Sequence, residues 1–223
     1  MAGETIRSEA VCLSISPWSK TSHIVSWLTP DGKISTVVKG AQRPKSFFLG
    51  QYDLNYTCEI LYYARAKGEL HALRECTPLE MRERLRDDFG ALALAGYCRR
   101  LVSDFAPVGP DCRAWFDLLT TTLDGLSSEV GHLVAFELKV LDLLGLEPEM
   151  EAESGAFALR GERRIPVSAE VADYLKDPTR PIKNSQIPLD AARVIGVFYQ
   201  FHLDCASDVR RTVLGLISKK KDI

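Results

Sequence analysis

The hydrophobic residues change their spacing near Pro78, and this change divides the chain into two kinds of structure. Before it, apolar and polar residues alternate with the period of two that half-buried strands have. After it, apolar residues recur every three to five positions, as they do along helices. A chain that runs from strands into helices indicates an α+β architecture. We therefore predict a β domain over residues 1–78, followed by an all-α domain.

Five short strands are expected in the first domain. They lie at residues 9–16, 21–28, 33–39, 54–63 and 70–76. Pro30, Asp31 and Gly32 predict the turn between the second and third strands, because Pro presets φ and Asp-Gly tolerates the positive φ of a hairpin. Five strands with tight turns predict a small closed barrel, since closure removes the exposed edges of so small a sheet.

The rest of the chain is expected to be helical with one interruption. Helices are predicted at residues 79–104, 111–126, 129–144, 189–203 and 208–218. Residues 147–188 are rich in Pro, Gly and charge, which is typical of an insertion, and they include one short predicted helix at 168–176. The helical domain thus has a first part at 79–146 and a second part at 189–223, the latter ending in a basic tail.

The composition is that of an ordinary globular protein, so any site must be local. The formal net charge is -2, and the six cysteines include no CxxC pair. Because the N-terminus is polar and every long apolar stretch is interrupted by charge, we expect neither a signal peptide nor a membrane span. A reduced cytoplasmic protein is the expectation.

Catalytic and metal-binding patterns are missing from the sequence. The four histidines show no HxH or HExxH spacing, and no GxxxxGK[ST], GxGxxG or GxSxG segment occurs. Asp87 and Asp88 are neighbours on a predicted helix and point about 100° apart, so they do not converge on a metal. Arg82, Arg84 and Arg86, interleaved with acids, indicate a solvated helix face. We predict no catalytic residue and no cofactor.

One basic stretch stands out. Lys33, Lys39, Arg43 and Lys45 are separated by no acidic residue, and the aromatic residues Phe47 and Phe48 follow. A strand face and loops of a small barrel can form a groove for single-stranded nucleic acid, in which cations hold phosphates and rings, such as these or Trp18, stack on bases. Alternatively the two phenylalanines are core and the cations keep an edge soluble. The residues alone leave both interpretations open.

Several segments occur in an order that resembles a known family. They are Trp18-Ser19-Lys20, residues 27–30, Lys39-Gly40-Ala41, residues 43–46, residues 85–88, Tyr97, residues 136–141 and the Leu-Gly-Leu-Glu-Pro segment at 144–148. This order is similar to that of the bacterial recombination mediator family RecO, through nearly the whole chain. The resemblance implies an N-terminal OB-fold, a helical domain and an inserted module. It favours the DNA interpretation of the basic stretch, with Phe47 and Phe48 as core.

The resemblance also implies function and partners. The expected protein binds single- and double-stranded DNA, anneals strands, and helps load RecA together with RecR and single-stranded-DNA-binding protein. The residues expected to contact DNA are Lys20, Lys33, Lys39, Arg43 and Lys45. The residues expected to contact the acidic tail of single-stranded-DNA-binding protein are Arg99, Arg100 and Arg113. The competing hypothesis is a protein-interaction scaffold with incidental DNA contact, which the net charge of -2 favours.

The sequence departs from the family at the inserted module. Many relatives carry zinc-binding cysteine pairs there, but this chain has no cysteine between residues 113 and 204, and residues 149–155 offer mainly glutamates. Glutamates alone do not make a tetrahedral thiolate site. We therefore predict no structural zinc, and an insertion held by packing and surface charge.

Overall fold

Two compact units make up the computed structural model, which describes residues 4–65, 70–146, 148, 150–151, 156–158, 164–203 and 207–218. The barrel unit comprises Met1–Arg84 with Cys98–Gly125, and the helical unit comprises Leu85–Tyr97 with Leu126–Ile223. This division differs from the predicted boundary at residue 78. Residues 98–125 belong to the barrel unit because they are hydrogen-bonded to the barrel.

The barrel unit contains a closed five-stranded barrel, as predicted. Its strands are β1 (Thr5–Ser19), β2 (Ser22–Thr29), β3 (Gly32–Val38), β4 (Thr57–Tyr63) and β5 (His71–Glu80). They are hydrogen-bonded in the order β1-β2-β3-β5-β4, with β1 pairing β4 to close the sheet. All neighbours are antiparallel except β3 and β5, which pair through Thr36 with His71. This is the OB-fold arrangement.

Alternation along the strands produces the barrel core. Val25 and Trp27 of β2 point inward, as do Cys58 and Ile60 of β4, because residues two apart share a face. The Trp27 indole donates a hydrogen bond of 2.9 Å to Thr36 Oγ1, which satisfies its buried N–H. The predicted turn at residues 30–32 is confirmed, with Gly32 at a φ of +148°.

The first predicted helix begins later than its apolar spacing indicates. Strand β5 continues to Glu80, where residues 79–80 were expected to be helical. Arg82 then takes a positive φ of 52°, which ends the strand and turns the chain. A single 3-10 turn, Glu83–Arg86, precedes α1 (Phe89–Phe105). The spacing of apolar residues alone did not predict the turn at residues 82–86.

Arginine side chains and backbone bonds hold residues 98–125 to the barrel within the barrel unit. The buried Arg82 guanidinium donates to Asn55 O at 2.7 Å, to Thr57 Oγ1 at 2.9 Å and to Asp124 Oδ1 at 2.7 Å. Asp124 lies near the end of α2 (Arg113–Gly125). The interpretation of Arg82 as part of a solvated helix face is therefore wrong.

In the part of the chain that the structure describes, the helical unit has four helices after α2 and a small sheet. They are α3 (Val130–Leu143), α4 (Ala169–Tyr174), α5 (Gln186–Leu203) and α6 (Ser207–Ser218), with strands β6 (Met150–Glu151), β7 (Ala156–Ala158) and β8 (Arg164–Pro166). Gly145, at a φ of 66°, follows the end of α3 as predicted, and Leu146 N donates back to Leu141 O at 2.9 Å. Ser168 caps α4 through its hydroxyl.

A buried ion pair fastens α6 in the helical unit. The Glu137 side chain is 0% exposed and accepts hydrogen bonds from Arg210 Nε at 2.6 Å and Nη2 at 2.8 Å. The Tyr97 hydroxyl also donates to Glu137, at 2.6 Å, and Arg210 Nη2 donates to Ala192 O at 2.7 Å. Every polar atom named here has a partner, which is the condition for a buried ion pair to be tolerated.

Candidate nucleic-acid interface

The turn between β1 and β2 and the segment after β3 lie at one end of the barrel. Lys20 and Thr21 form the two-residue turn between paired Ser19 and Ser22. Because His23 of β2 pairs with Val38 at the end of β3, the chain leaves β3 beside this turn. We call the turn and residues 39–47 together the basic end of the barrel.

Four of the residues predicted to contact DNA lie in the basic end. Lys20, Lys39, Arg43 and Lys45 are all exposed. Among the residues that the structure describes, none of these four side chains forms an ion pair with a carboxylate. Their positive charge is therefore not neutralised locally, and it can act on phosphates.

Backbone and side-chain hydrogen bonds fix residues 39–49 against β2. Gln42 N donates to Thr21 O at 3.1 Å, and the Gln42 amide lies 2.7 Å from His23 Nε2. The other ring nitrogen of His23 lies 2.8 Å from the Tyr52 hydroxyl. Gly40, at a φ of 69°, makes the sharp exit from β3. The cations are thus carried by an ordered loop rather than a free one.

The two phenylalanines have opposite environments. Phe48 packs against the barrel core, as predicted. Phe47, also expected in the core, is 96% exposed, so that prediction is wrong. A turn explains the difference, since Ser46 N and Leu49 N donate to Arg43 O and Ser46 O, and consecutive side chains on this curved backbone point in different directions.

Lys33 lies at the opposite end of β3 from Lys39. It pairs with Leu28, and Lys39 follows it six positions later along the strand direction, a distance of roughly 20 Å. Its ammonium donates to Ser103 O at 2.9 Å. Burial lowers the pKa of Lys33, although Cys112 and Asp104 act against this effect. Lys33 therefore lies apart from the other four predicted DNA-contacting residues, and its ammonium group is hydrogen-bonded within the barrel unit.

The three arginines expected to contact a protein partner are also engaged. Arg99 donates to the backbone carbonyl of Leu13 and, at 3.2 Å, to Asn55 Oδ1, and burial lowers its pKa. Arg100 pairs with Asp104 at 2.8 Å, and Arg113 with Asp117 at 3.9 Å. Arg99 thus supports the barrel, and the other two form exposed pairs along their own helices.

Sequence reasoning did not find the residues that hold the basic end in shape. His23, Gln42 and Tyr52 form a chain of contacts, and the Tyr52 ring also meets Trp27 edge to face at 6.1 Å between centroids. These residues are far apart in the sequence, and no local pattern links them. From the sequence, His23 was expected only to pack within its strand or lie at the surface, and its contacts with Gln42 and Tyr52 were not predicted.

A zinc site does not fit the residues at the insertion. Met150 and Glu151 are described there, and the stretch has no thiolate donor. In the described part of the chain, no group of three or more His, Cys, Asp or Glu is placed to hold a metal ion. The described helices also include none that is long and apolar enough to cross a membrane.

The fold is that of an OB-type barrel followed by helices. The sequence matches the profile "Recombination protein O N terminal" over residues 1–82 and "Recombination protein O C terminal" over residues 86–206. The chain belongs to the RecO family.

Curated relatives agree with this assignment. The chain is 30% identical over 153 residues to a "DNA repair protein RecO" of Roseiflexus sp. (strain RS-1), which covers 67% of this chain and 53% of that protein. It is 31% identical over 151 residues to the protein of the same name from Alkaliphilus metalliredigens, covering 65% of this chain and 60% of the relative. For the Salinibacter ruber protein the identity is 26%, over 95% of this chain and 85% of the relative. Matches to the first relatives thus span little more than half of their length.

Proposed function

We propose that this chain is a DNA-binding mediator of recombinational repair that holds DNA at the basic end of its barrel. The observation that carries the proposal is the cluster of Lys20, Lys39, Arg43 and Lys45, exposed and without a carboxylate partner among the described residues. Relatives named as DNA repair proteins support it. Binding would be largely independent of sequence, because cations that contact phosphates release counterions without reading bases.

The same electrostatics give a route to strand annealing. Two single strands repel each other through their phosphates, and a fixed group of cations lowers that repulsion while the bases stay free to pair. No step requires bond chemistry, so the proposed role is binding and not enzymatic. We further propose RecR, single-stranded-DNA-binding protein and, indirectly, the RecA filament as partners, by membership of the family.

A cavity in the helical unit offers a place for one of these partners. It has a volume of about 560 Å³, and its lining combines apolar residues such as Leu138, Leu175 and Pro178 with two lysines, Lys139 and Lys176, and two aspartates, Asp142 and Asp177. Both lysines are largely exposed, and their ion pairs, 3.7 Å to Asp142 and 3.5 Å to Asp173, are of the weak surface kind. Apolar lining beside two lysines that are held only in weak ion pairs suits the acidic, hydrophobic tail of single-stranded-DNA-binding protein better than the engaged arginines do.

A protein-interaction scaffold is the second candidate. Val197 and Phe201 lie one turn apart on α5 and are exposed, as is Val209 on α6. Exposed apolar side chains of this size suit a protein partner. In that case DNA contact at the barrel would be incidental.

One titration separates the two candidates. Fluorescent single-stranded oligonucleotide is titrated with the chain at low and moderate salt, and the complementary strand is then added. Binding that weakens with salt, followed by annealing faster than the protein-free rate, is the result that the mediator predicts. No binding at low salt would reject the mediator and leave the scaffold.

A further inference from the structure

Phe47 is almost fully exposed, although the next residue of the same loop is packed into the barrel. Its residue surface is 96% exposed, while the adjacent Phe48 is packed against the barrel core. A single exposed apolar residue on a protein surface is unremarkable by itself. The surroundings of Phe47 are what make its exposure informative.

The backbone presents Phe47 on a rigid support. Ser46 Oγ accepts from Phe48 N at 3.2 Å, and Leu49 N donates to Ser46 O at 3.3 Å, so successive turns bracket the residue. Phe48, on one side, is anchored in the core. Holding the backbone that carries the ring in place beforehand lowers the entropy cost of a partner's binding to it.

Two cationic residues, Arg43 and Lys45, shortly precede Phe47 in the sequence. Lys45 and Phe47 are two residues apart, so their Cα atoms are separated by at most about 7.6 Å. Arg43 lies two residues further back, and no acidic residue occurs between Asp31 and Asp53. A ligand that carries negative charge close to a flat apolar group would complement Lys45 and Phe47 together.

Single-stranded nucleic acid has that chemistry. Each nucleotide combines a phosphate with an unpaired base whose π-face can stack on an aromatic ring. A duplex offers the phosphates, but its bases are stacked inside, and exposing one costs a few kcal/mol. An aromatic ring beside cations therefore discriminates in favour of single strands, which cations alone do not.

We propose that Phe47 is a base-stacking platform that gives the basic end its preference for single-stranded over double-stranded nucleic acid. This inference rests on the proposed DNA-binding function and adds to it the residue that selects the strand form. Lys45 and Arg43 hold the neighbouring phosphates, and Phe47 receives an unpaired base.

The test uses the full chain and three fluorescent ligands of equal length. They are a single-stranded thymidine oligonucleotide, the same oligonucleotide with abasic sites in place of its bases, and a duplex. The variants are Phe47→Ala and Phe47→Trp, with Leu49→Ala as matched control. Leu49 lies on the same loop, is 66% exposed and has no aromatic ring. Because both side chains are exposed, thermal melting of all variants should match that of the unaltered chain.

Phe47→Ala should weaken binding of the thymidine oligonucleotide by roughly 5- to 100-fold, the range that the loss of one base stack gives. Binding of the abasic oligonucleotide and of the duplex should stay within about twofold. Phe47→Trp should retain tight binding, and its added indole fluorescence should be quenched by the thymidine oligonucleotide only. Leu49→Ala should leave all three affinities unchanged.

Two results would overturn the inference while the proposed function stands. One is an equal effect of Phe47→Ala on all three ligands. The other is a loss in Leu49→Ala as large as that in Phe47→Ala, which would indicate an apolar surface for a protein. If the unaltered chain binds none of the three ligands, the proposed function itself fails, and the stacking role fails with it.

Discussion

A methyl group at position 196 should destabilise the helical unit although alanine has a higher helix propensity than glycine. Gly196 lies inside α5, and an added Cβ would come within 3.0 Å of Cζ of Arg210 and closer still to its Nη1. The end of an arginine side chain is usually free to move aside. Here it is not, because Arg210 is held by Glu137 and by Ala192 O and its side chain is only 12% exposed.

The magnitude follows from two opposing contributions. Replacing Gly by Ala in a helix interior gains about 1 kcal/mol. Displacing Arg210 leaves the fully buried carboxylate of Glu137 without its cation, which costs about 3–5 kcal/mol. We expect Gly196→Ala to lower the free energy of unfolding by about 2–4 kcal/mol.

Urea unfolding followed by far-ultraviolet circular dichroism measures this free energy. Gly96→Ala is the matched control, because Gly96 lies inside α1 in the same unit and an added Cβ would meet nothing within 4 Å. It should stabilise by up to about 1 kcal/mol. In an Arg210→Ala background the obstacle is gone, so Gly196→Ala should become stabilising. If its effect keeps the same sign in both backgrounds, the reasoning is refuted.

Two further predictions concern the helical unit. Burial raises the pKa of Tyr174 to about 12, with Glu129 adding to the effect, so the folded state keeps the phenolic proton longer than the unfolded state. The stability that this supplies is complete below pH 10 and is lost as the pH rises from 10 to 12. Burial raises the pKa of Tyr62 and Tyr97 as well, so melting curves of Tyr174→Phe should show a smaller decline than those of the unaltered chain; an equal decline would contradict the assignment. At the cavity, Lys176→Glu should weaken binding of a short acidic peptide with an apolar C-terminus several-fold in fluorescence anisotropy, whereas Lys183→Glu, an exposed control, should not; equal effects would move the peptide site elsewhere.

The barrel was predictable because its determinants are local. Alternation placed Val25 and Trp27 on one face, and the Pro-Asp-Gly turn joined β2 to β3. The boundaries of α3 followed from apolar spacing and from Gly145 for the same reason. Such signals act within a few residues, so the sequence displays them directly.

The remaining features depend on residues that are distant in the sequence. The ammonium group of Lys33 is engaged by Ser103 O, seventy residues away. Arg82 is buried because Asn55 and Asp124 meet it, and local charge alternation indicated a solvated helix instead. Phe47 and Phe48 are chemically identical, and only the turn around Ser46 decides which ring enters the core.

The composition of the candidate site was therefore better predicted than its arrangement. Lys20, Lys33, Lys39, Arg43 and Lys45 were expected as a group, and the structure brings the segments that carry all of them except Lys33 to one end of the barrel. Their contact with DNA remains a prediction. It was not evident from the sequence that the loop would be fastened by His23 and Gln42.

The most direct test of the account is the salt dependence of single-stranded DNA binding. The observed association constant is measured from 50 to 300 mM salt for the unaltered chain and for a variant with Lys20, Lys39, Arg43 and Lys45 all changed to Ala. If all four contact phosphates, the log–log slope should fall by about 0.7 for each, or about 2.8 in total. Lys33→Met, which removes a cation bonded to Ser103 O, should leave the slope unchanged. An unaltered slope in the quadruple variant, or a reduced one in Lys33→Met, would contradict the placement of the DNA site at the basic end.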